Sequence, residues 1–259
     1  MTMSYALHER HAKTSLITLN NPARLNALGT KLLKDFETAL LQAINDNQTE
    51  AIVITGAGRS FCAGDDMKEF DWNAVNSTTV RAHIQDIQRI THLLMGCDKP
   101  VIGAVHGYAV GGGFEWLLNC DLVVASEDLV AFFPELQWGF FVTGGVTHLL
   151  PKALGHQKAM ELFLLGERQN AKTLHGMGLV NWVVDNGKHL DKAMAIATQI
   201  TQKSSRPAVA QLKTTLNTEL GQGLWHAVQL EQKATIEAFL RPETHAIAAT
   251  FAAKEKTDQ

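Results

Sequence analysis

The sequence predicts an α/β protein whose C-terminal third is mainly helical. Two observations carry this. Up to about residue 165, apolar runs of strand length alternate with stretches whose apolar residues recur at helical spacing. From Gly155 onward the pattern turns helical, with one short strand near Val180–Val184. In order, Thr14–Leu19 reads as a strand and Asn20-Asn21-Pro22 as a turn. Leu32, Leu33, Phe36, Leu40 and Ile44 then mark a helix. Ala51–Thr55 is a buried strand, and Gly56-Ala57-Gly58 ends it and opens a glycine-rich loop through Gly64. A second helix carries Val80, Ile84, Ile87, Thr91 and Leu94, and Pro100 leads into the strand Val101–Val105. Gly111-Gly112-Gly113 runs into a helix over Phe114–Cys120, followed by strands at Leu122–Ala125 and Leu129–Phe133. Helices are expected over Lys158–Leu165, Leu190–Lys203, Ala208–Glu219 and Leu224–Phe239. With no sheet to pack on, these would dock on a neighbour or a partner subunit.

The composition bounds the function. The chain has 259 residues, with 23 Lys and Arg against 26 Asp and Glu, a net charge of −3. That balance argues against nucleic-acid binding by massed positive charge. A 46% apolar content and a mean hydropathy of −0.04 suit a globular protein and not a disordered one. The polar start Met1–Lys13 lacks the apolar core of a signal peptide, and no run of 18 apolar residues occurs. A cytoplasmic location without membrane insertion is therefore expected. Cys62, Cys97 and Cys120, an odd set with no CxxC pair, fit reduced thiols.

Several motifs fail. A dinucleotide fingerprint counted from Gly111 puts Trp116 where its third glycine belongs. No G-x-x-x-x-G-K-[ST] loop and no G-x-S-x-G elbow occurs. His8-Glu9-Arg10-His11 is one residue short of H-E-x-x-H, at a terminus expected to fray, and the other histidines lack ligand spacing. No metal site is expected.

Two strand-to-loop junctions of similar design remain. In Ser60–Met67 the small pair Ala63-Gly64 would let a ligand approach the backbone. In Gly107–Glu115 the glycines end at a helix N-terminus, where unpaired N–H groups favour negative charge. Two such N–H groups aimed at one carbonyl oxygen would make an oxyanion hole, one donor being worth about 3 kcal/mol. The alternative is that the glycines only permit tight turns and close packing. Glu115 sits among Phe114, Trp116, Leu117 and Leu118, and Glu135 follows Ala131-Phe132-Phe133-Pro134. Each is a salt-bridge partner, or the two form a buried acid–base pair.

In order along the chain, Asn26-Ala27-Leu28, the Phe61–Met67 loop, Lys99-Pro100-Val101, Gly107–Glu115, Cys120-Asp121, Pro134-Glu135 and Gly178-Leu179-Val180 resemble the crotonase superfamily, and within it enoyl-CoA hydratase. The resemblance runs from about residue 14 to residue 185. It implies a spiral of ββα units as a catalytic core over residues 1–195. A helical trimerisation region over 196–259 would assemble the chain as a homotrimer or a hexameric dimer of trimers. It implies an acyl-CoA substrate, coenzyme A being part of that substrate, and no further cofactor or metal. Ala63 and Gly112 would donate the oxyanion-hole N–H groups. Arg24, Asn26 and the segment Ala63, Gly64, Asp65, Asp66 and Met67 would hold the coenzyme A moiety.

In the hydratases of that family two glutamates flank the alkene, and Glu115 and Glu135 stand at their positions. Glu115 would act mainly on the water and Glu135 on the C2 proton. A double-bond isomerase using Glu135 alone, or an inactive acyl-CoA- or RNA-binding member, are the competing readings. This sequence departs from the pattern at Asp65, where a small residue is usual, and at Trp116, Phe140 and Phe141, which are bulkier than in many hydratases. The stretch Val142–Thr147 departs as well. The aromatic residues either pack the core or reshape the acyl pocket.

Overall fold

The computed structural model describes residues 3–70, 72 and 74–247. Strand β1 (Ala6–His11) pairs antiparallel with β2 (Thr14–Leu19), so His8–His11 form an edge strand and not a frayed end. Helix α1 (Thr30–Asn45) follows, then β3 (Ala51–Gly56), α2 (Ser77–Gly96), β4 (Val101–Val105), β5 (Tyr108–Val110) and α3 (Gly112–Leu118). The chain continues through β6 (Leu122–Ser126), β7 (Val130–Phe132), α4 (Val146–Leu154), α5 (His156–Leu165), β8 (Gln169–Asn170), α6 (Ala171–Gly176), β9 (Trp182–Val184), α7 (His189–Lys203) and α8 (Arg206–Phe239). The larger sheet has the order β1-β2-β3-β4-β6-β9 and is parallel after its first pair. A smaller sheet, β5-β7-β8, is extended by bridges Cys62–Ala109 and Leu28–Asp65. Each turn of the spiral thus places a strand in the large sheet, a short one in the small layer, and a helix.

Both faces of the central strands are covered, which is why they read as unbroken apolar runs. Ile52 and Ile54 of β3 face a core with Leu33, Phe36, Ile84 and Ile87. Ala51 and Val53, one residue out of phase, face Ala193 and Ala197 of α7. Helix α7 therefore has a sheet to pack on, contrary to the expectation for the C-terminal helices, and position 195 falls inside it.

The two helices expected over Ala208–Glu219 and Leu224–Phe239 are one 34-residue helix, α8. Gly221 and Gly223 do not break it. A Cβ at Gly223 would run into the His148 ring of α4, so the glycine lets two helices approach. Helix α8 lies against α2 and α4 within the same chain. Lys213 Nζ fastens it there, donating to the carbonyls of Leu94 (3.0 Å) and Lys99 (2.9 Å) and to Asp121 (2.7 Å). Residues 248–259, the end of the expected assembly region, lie outside the described residues. Among the described residues no helix is long and apolar enough to cross a membrane.

Gly107 joins the two sheets between β4 and β5, at φ +56°, and a Cβ there would meet the Arg59 carbonyl oxygen. Gly107→Ala combines left-handed backbone with a clash against main chain. It is expected to cost about 2 kcal/mol or more, read as a lowered urea midpoint with an unchanged m-value.

Candidate active site

A cleft enclosing about 470 Å³, part of it open to solvent, lies where the loop after β3, the β5–α3 junction and the segment after β7 meet. Glycines bring its walls together. Gly64, at φ +82°, rides over the Val110 carbonyl, and Gly111, at φ +51°, lies beneath the Glu135 carboxyl, where any Cβ would collide.

Glu115 projects from the first turn of α3 and is 1% exposed. Its Oε1 accepts from the Thr143 N–H and its Oε2 from the Thr143 hydroxyl, both at 2.8 Å. Burial is the main force pushing its proton affinity up, and the like charge of Glu231 adds to it. The two Thr143 bonds oppose both, and the carboxyl stands at about 8. Glu135 begins a short helical turn, Glu135–Trp138, after β7. Burial and then the Glu115 charge raise its pKa well above the usual carboxylate range. Its Oε2 is buried with no hydrogen-bond partner among the described residues. Sharing one cleft, the two groups differ in support: Glu115 has two donors from Thr143 that stabilise its anion, while Glu135 has only its own backbone N–H and one oxygen without a partner. Those donors favour ionisation of Glu115 over that of Glu135.

The peptide donors are not those expected. Ala63 lines the cleft, but its N–H donates to the Leu25 carbonyl at 3.1 Å. Gly64, at φ +82°, turns the segment, so its successive N–H groups face different partners. Cys62 turns to Tyr108, Ala63 to Leu25, and Asp66 to the Leu28 carbonyl at 3.4 Å. Asp65, between, lines the cleft and its N–H has no acceptor among the described residues. Gly112, at the start of α3, likewise lines the cleft with an uncommitted N–H. Of the expected donors, the Ala63 N–H is committed and the Gly112 N–H is not, and Asp65 offers a further uncommitted N–H on the cleft.

The Asp65 carboxylate pairs with His83 of α2 at 2.9 Å. Burial works against a charge on His83, yet Asp65 outweighs it and raises its pKa, so the extra carboxylate has a counter-charge of its own. Met67, Phe140, Phe141 and Trp138 line the cleft. Trp116 does not. One residue beyond Glu115 on the helix, it turns about 100° away and meets Phe36 edge-on at 5.0 Å in the core.

Arg24, Asn26 and Asp66 also lie off the cleft lining. Arg24 pairs with the buried Asp66 through Nε at 3.1 Å and through its second nitrogen. Asn26 is fully buried in left-handed backbone, φ +56°. Its Nδ2 donates to the carbonyls of Ala57 (3.0 Å), Ser60 (2.8 Å) and Phe61 (3.1 Å), and its Oδ1 accepts from the Asn21 N–H (2.8 Å). These bonds occupy both polar atoms of its side chain and clamp the loop that carries Asp65. Thr143 and Glu231 were not singled out from the sequence. The only signal there was that Val142–Thr147 departs from the usual pattern.

No group of three or more His, Cys, Asp or Glu suited to a metal ion occurs among the described residues. Burial pushes the Cys62 and Cys120 thiols up to about 12, which removes them as nucleophiles near neutrality.

Fold and site together define a class: a ββα spiral whose backbone offers two N–H groups to one cleft flanked by two glutamates, Glu115 buried and Glu135 half-buried. The family model for enoyl-CoA hydratase/isomerase matches residues 9–258, and the chain belongs to that family. A protein of Rhizobium meliloti named "Probable enoyl-CoA hydratase" is 33% identical, the match covering 99% of this chain and 98% of that protein. A mevalonyl-coenzyme A hydratase of Aspergillus fumigatus is 39% identical over 73% of this chain and 69% of its own. The crystal structure of an enoyl-CoA hydratase/isomerase from Mycobacterium paratuberculosis superposes with a TM-score of 0.89 at 27% identity, covering 96% of this chain and 98% of that one. The fold is that of the crotonase superfamily.

Asn26→Ala strips one donor group from three loop carbonyls. It is expected to cost about 2 kcal/mol of stability in chemical denaturation, the penalty of leaving buried acceptors unpaired. Coenzyme A affinity, measured by calorimetry on the fraction that remains folded, is expected to change far less.

Proposed function

We propose that the protein hydrates a 2-enoyl-CoA thioester to the 3-hydroxyacyl-CoA, and runs the reverse dehydration. The observation that carries this reading is the pair of glutamates, one buried and one half-buried, with unequal support on one cleft. Water held between them would give a proton to ionised Glu115 and add its oxygen at C3. The electrons of the double bond move onto the thioester oxygen, where the N–H groups of Asp65 and Gly112 would stabilise the enolate. Glu135, the carboxyl that keeps its proton longer, then delivers it to C2. The atoms of one water are thereby added, hydroxyl at C3 and hydrogen at C2, with the proton taken up at Glu115 returned to Glu135 before the next turnover. CoA enters as part of the substrate, held by the 63–67 segment, and the chemistry calls for no metal or redox cofactor. The exposed leucines of α8, Leu212, Leu216 and Leu230, suit burial in a homotrimer or hexamer.

One observation favours a second reading. Of the two carboxyl groups only Glu135 has a buried oxygen without a partner, which suits a single proton shuttle moving a double bond.

Crotonyl-CoA decides between them. Loss of its enoyl-thioester absorbance supports hydration. A 3-enoyl-CoA that gains this absorbance, with crotonyl-CoA unchanged, moves the assignment to isomerase. For the hydratase, Glu115→Gln is expected to lower kcat by about a hundredfold or more while leaving CoA binding intact. The rate of the unaltered protein should rise with pH through about 8, as Glu115 loses its proton, and fall where Glu135 loses its own. A complex with acetoacetyl-CoA should place the thioester oxygen about 3 Å from the N–H groups of Asp65 and Gly112.

A further inference from the structure

Glu231 lies on α8, far from Glu115 in sequence, and is 1% exposed. Its Oε2 accepts from the Gly145 N–H (2.6 Å), and its Oε1 accepts from the Thr147 N–H (2.9 Å) and hydroxyl (2.6 Å). Gly145 is the N-cap of α4 and has no side chain with which to cap it. Glu231 supplies from another helix the acceptor that a Ser or Asp would supply locally, at the end where the helix dipole favours negative charge.

The same short segment carries Thr143, which holds both oxygens of Glu115. Its N–H groups are shared between two buried carboxyl groups: that of residue 143 goes to Glu115, those of 145 and 147 go to Glu231. The carbonyls are braced too. Gln88 Nε2 donates to the Thr143 carbonyl (3.2 Å) and Asn119 Nδ2 to that of Gly144 (3.0 Å), while the Thr235 hydroxyl, bonded first to the Glu231 carbonyl (2.8 Å), also comes within 3.2 Å of the Val142 carbonyl. Gly144 itself packs against Glu115, where a Cβ would stand 2.7 Å from the Glu115 Cβ.

We propose that Glu231 is a positioning residue for the reaction: by gripping residues 145 and 147 it holds Thr143 against Glu115, and it faces that carboxyl with a second negative charge. This rests on Glu115 being the group that activates water. The charged groups facing Glu115 are Glu231 from α8, Glu135 after β7 and Asp65 after β3, all acidic. After burial itself, Glu231 is the largest cause of the raised Glu115 pKa. Burial raises Glu231 as well, but its donors all point at the carboxyl and favour the ionised, acceptor-only form.

The test is a pH titration of the full-length protein by carbon NMR, with labelled glutamate carboxyls and the Glu115 signal assigned through Glu115→Gln. Glu231→Gln keeps the size and removes the charge. It is expected to lower the Glu115 midpoint by about one pH unit, tenfold in proton affinity, the lost charge outweighing the opposite effect of a loosened Thr143, and to move the acidic limb of kcat by the same step. Glu231→Asp, which keeps the charge, should restore most of the shift. Thr147→Val, a milder change that removes one donor from Glu231, should move the midpoint the same way by a smaller amount, and decides the matter if Glu231→Gln does not fold. A Glu115 midpoint unmoved in the folded variants overturns the proposal, whatever the activity. A midpoint that moves in a protein inactive on every enoyl-CoA upholds Glu231 as the group that positions Glu115 and overturns the hydratase reading instead.

Discussion

Burying ionisable carboxyl groups is the constraint to which the rest of this structure accommodates itself. Glu115 and Glu231 lie buried and Glu135 half-buried around one loop; the charge of Glu231 raises the proton affinity of Glu115, and that of Glu115 raises Glu135. A buried carboxylate without donors is expensive, so each must be held by hydrogen bonds or keep its proton. Glu115 and Glu231 take the first course, sharing the peptide groups of residues 143–147. Glu135, with its own N–H and one oxygen unpartnered, has less support. On the proposed mechanism, the asymmetry that makes one group a base and the other an acid is a consequence of where the donors are.

The fold exists around this arrangement in a literal sense. The central strands are buried on both faces, which frees the loops at one end of the sheet to be built for close approach. Asn26 and the Arg24–Asp66 pair fix the loop after β3, and the glycines at 64 and 111 remove side chains where backbone and carboxyl must pass. Helix α8, fastened by Lys213 to the end of α2, reaches back to deliver Glu231 and Thr235 to the loop before α4. A helix that reads as an appendage for assembly also braces the loop behind the site.

Much of this was legible in the residues. Periodicity located the central strands and the helices α1 and α2, because continuous burial on two faces and on one helix stripe leaves a strong pattern. Glu115 and Glu135 stood out because a carboxylate among aromatic and aliphatic neighbours has to be inside. What failed were statements that depend on direction. Trp116 sits beside Glu115 in sequence yet turns into the core, and Ala63 lies on the right segment with its N–H facing the wrong way. The glycines in α8 looked like a break because their local propensity is poor, and packing against His148 overrode it.

By itself the sequence determined the family, the alternation of strand and helix, and the pair of glutamates, since burial and turn chemistry are written in neighbouring residues. Only the tertiary structure decided which peptide N–H groups are uncommitted, that Asp65 brings its own counter-charge from His83, and that Glu231 and Thr143 stand behind Glu115. These are relations between segments distant along the chain. They turn on the direction of single bonds, which no local pattern of residue types records.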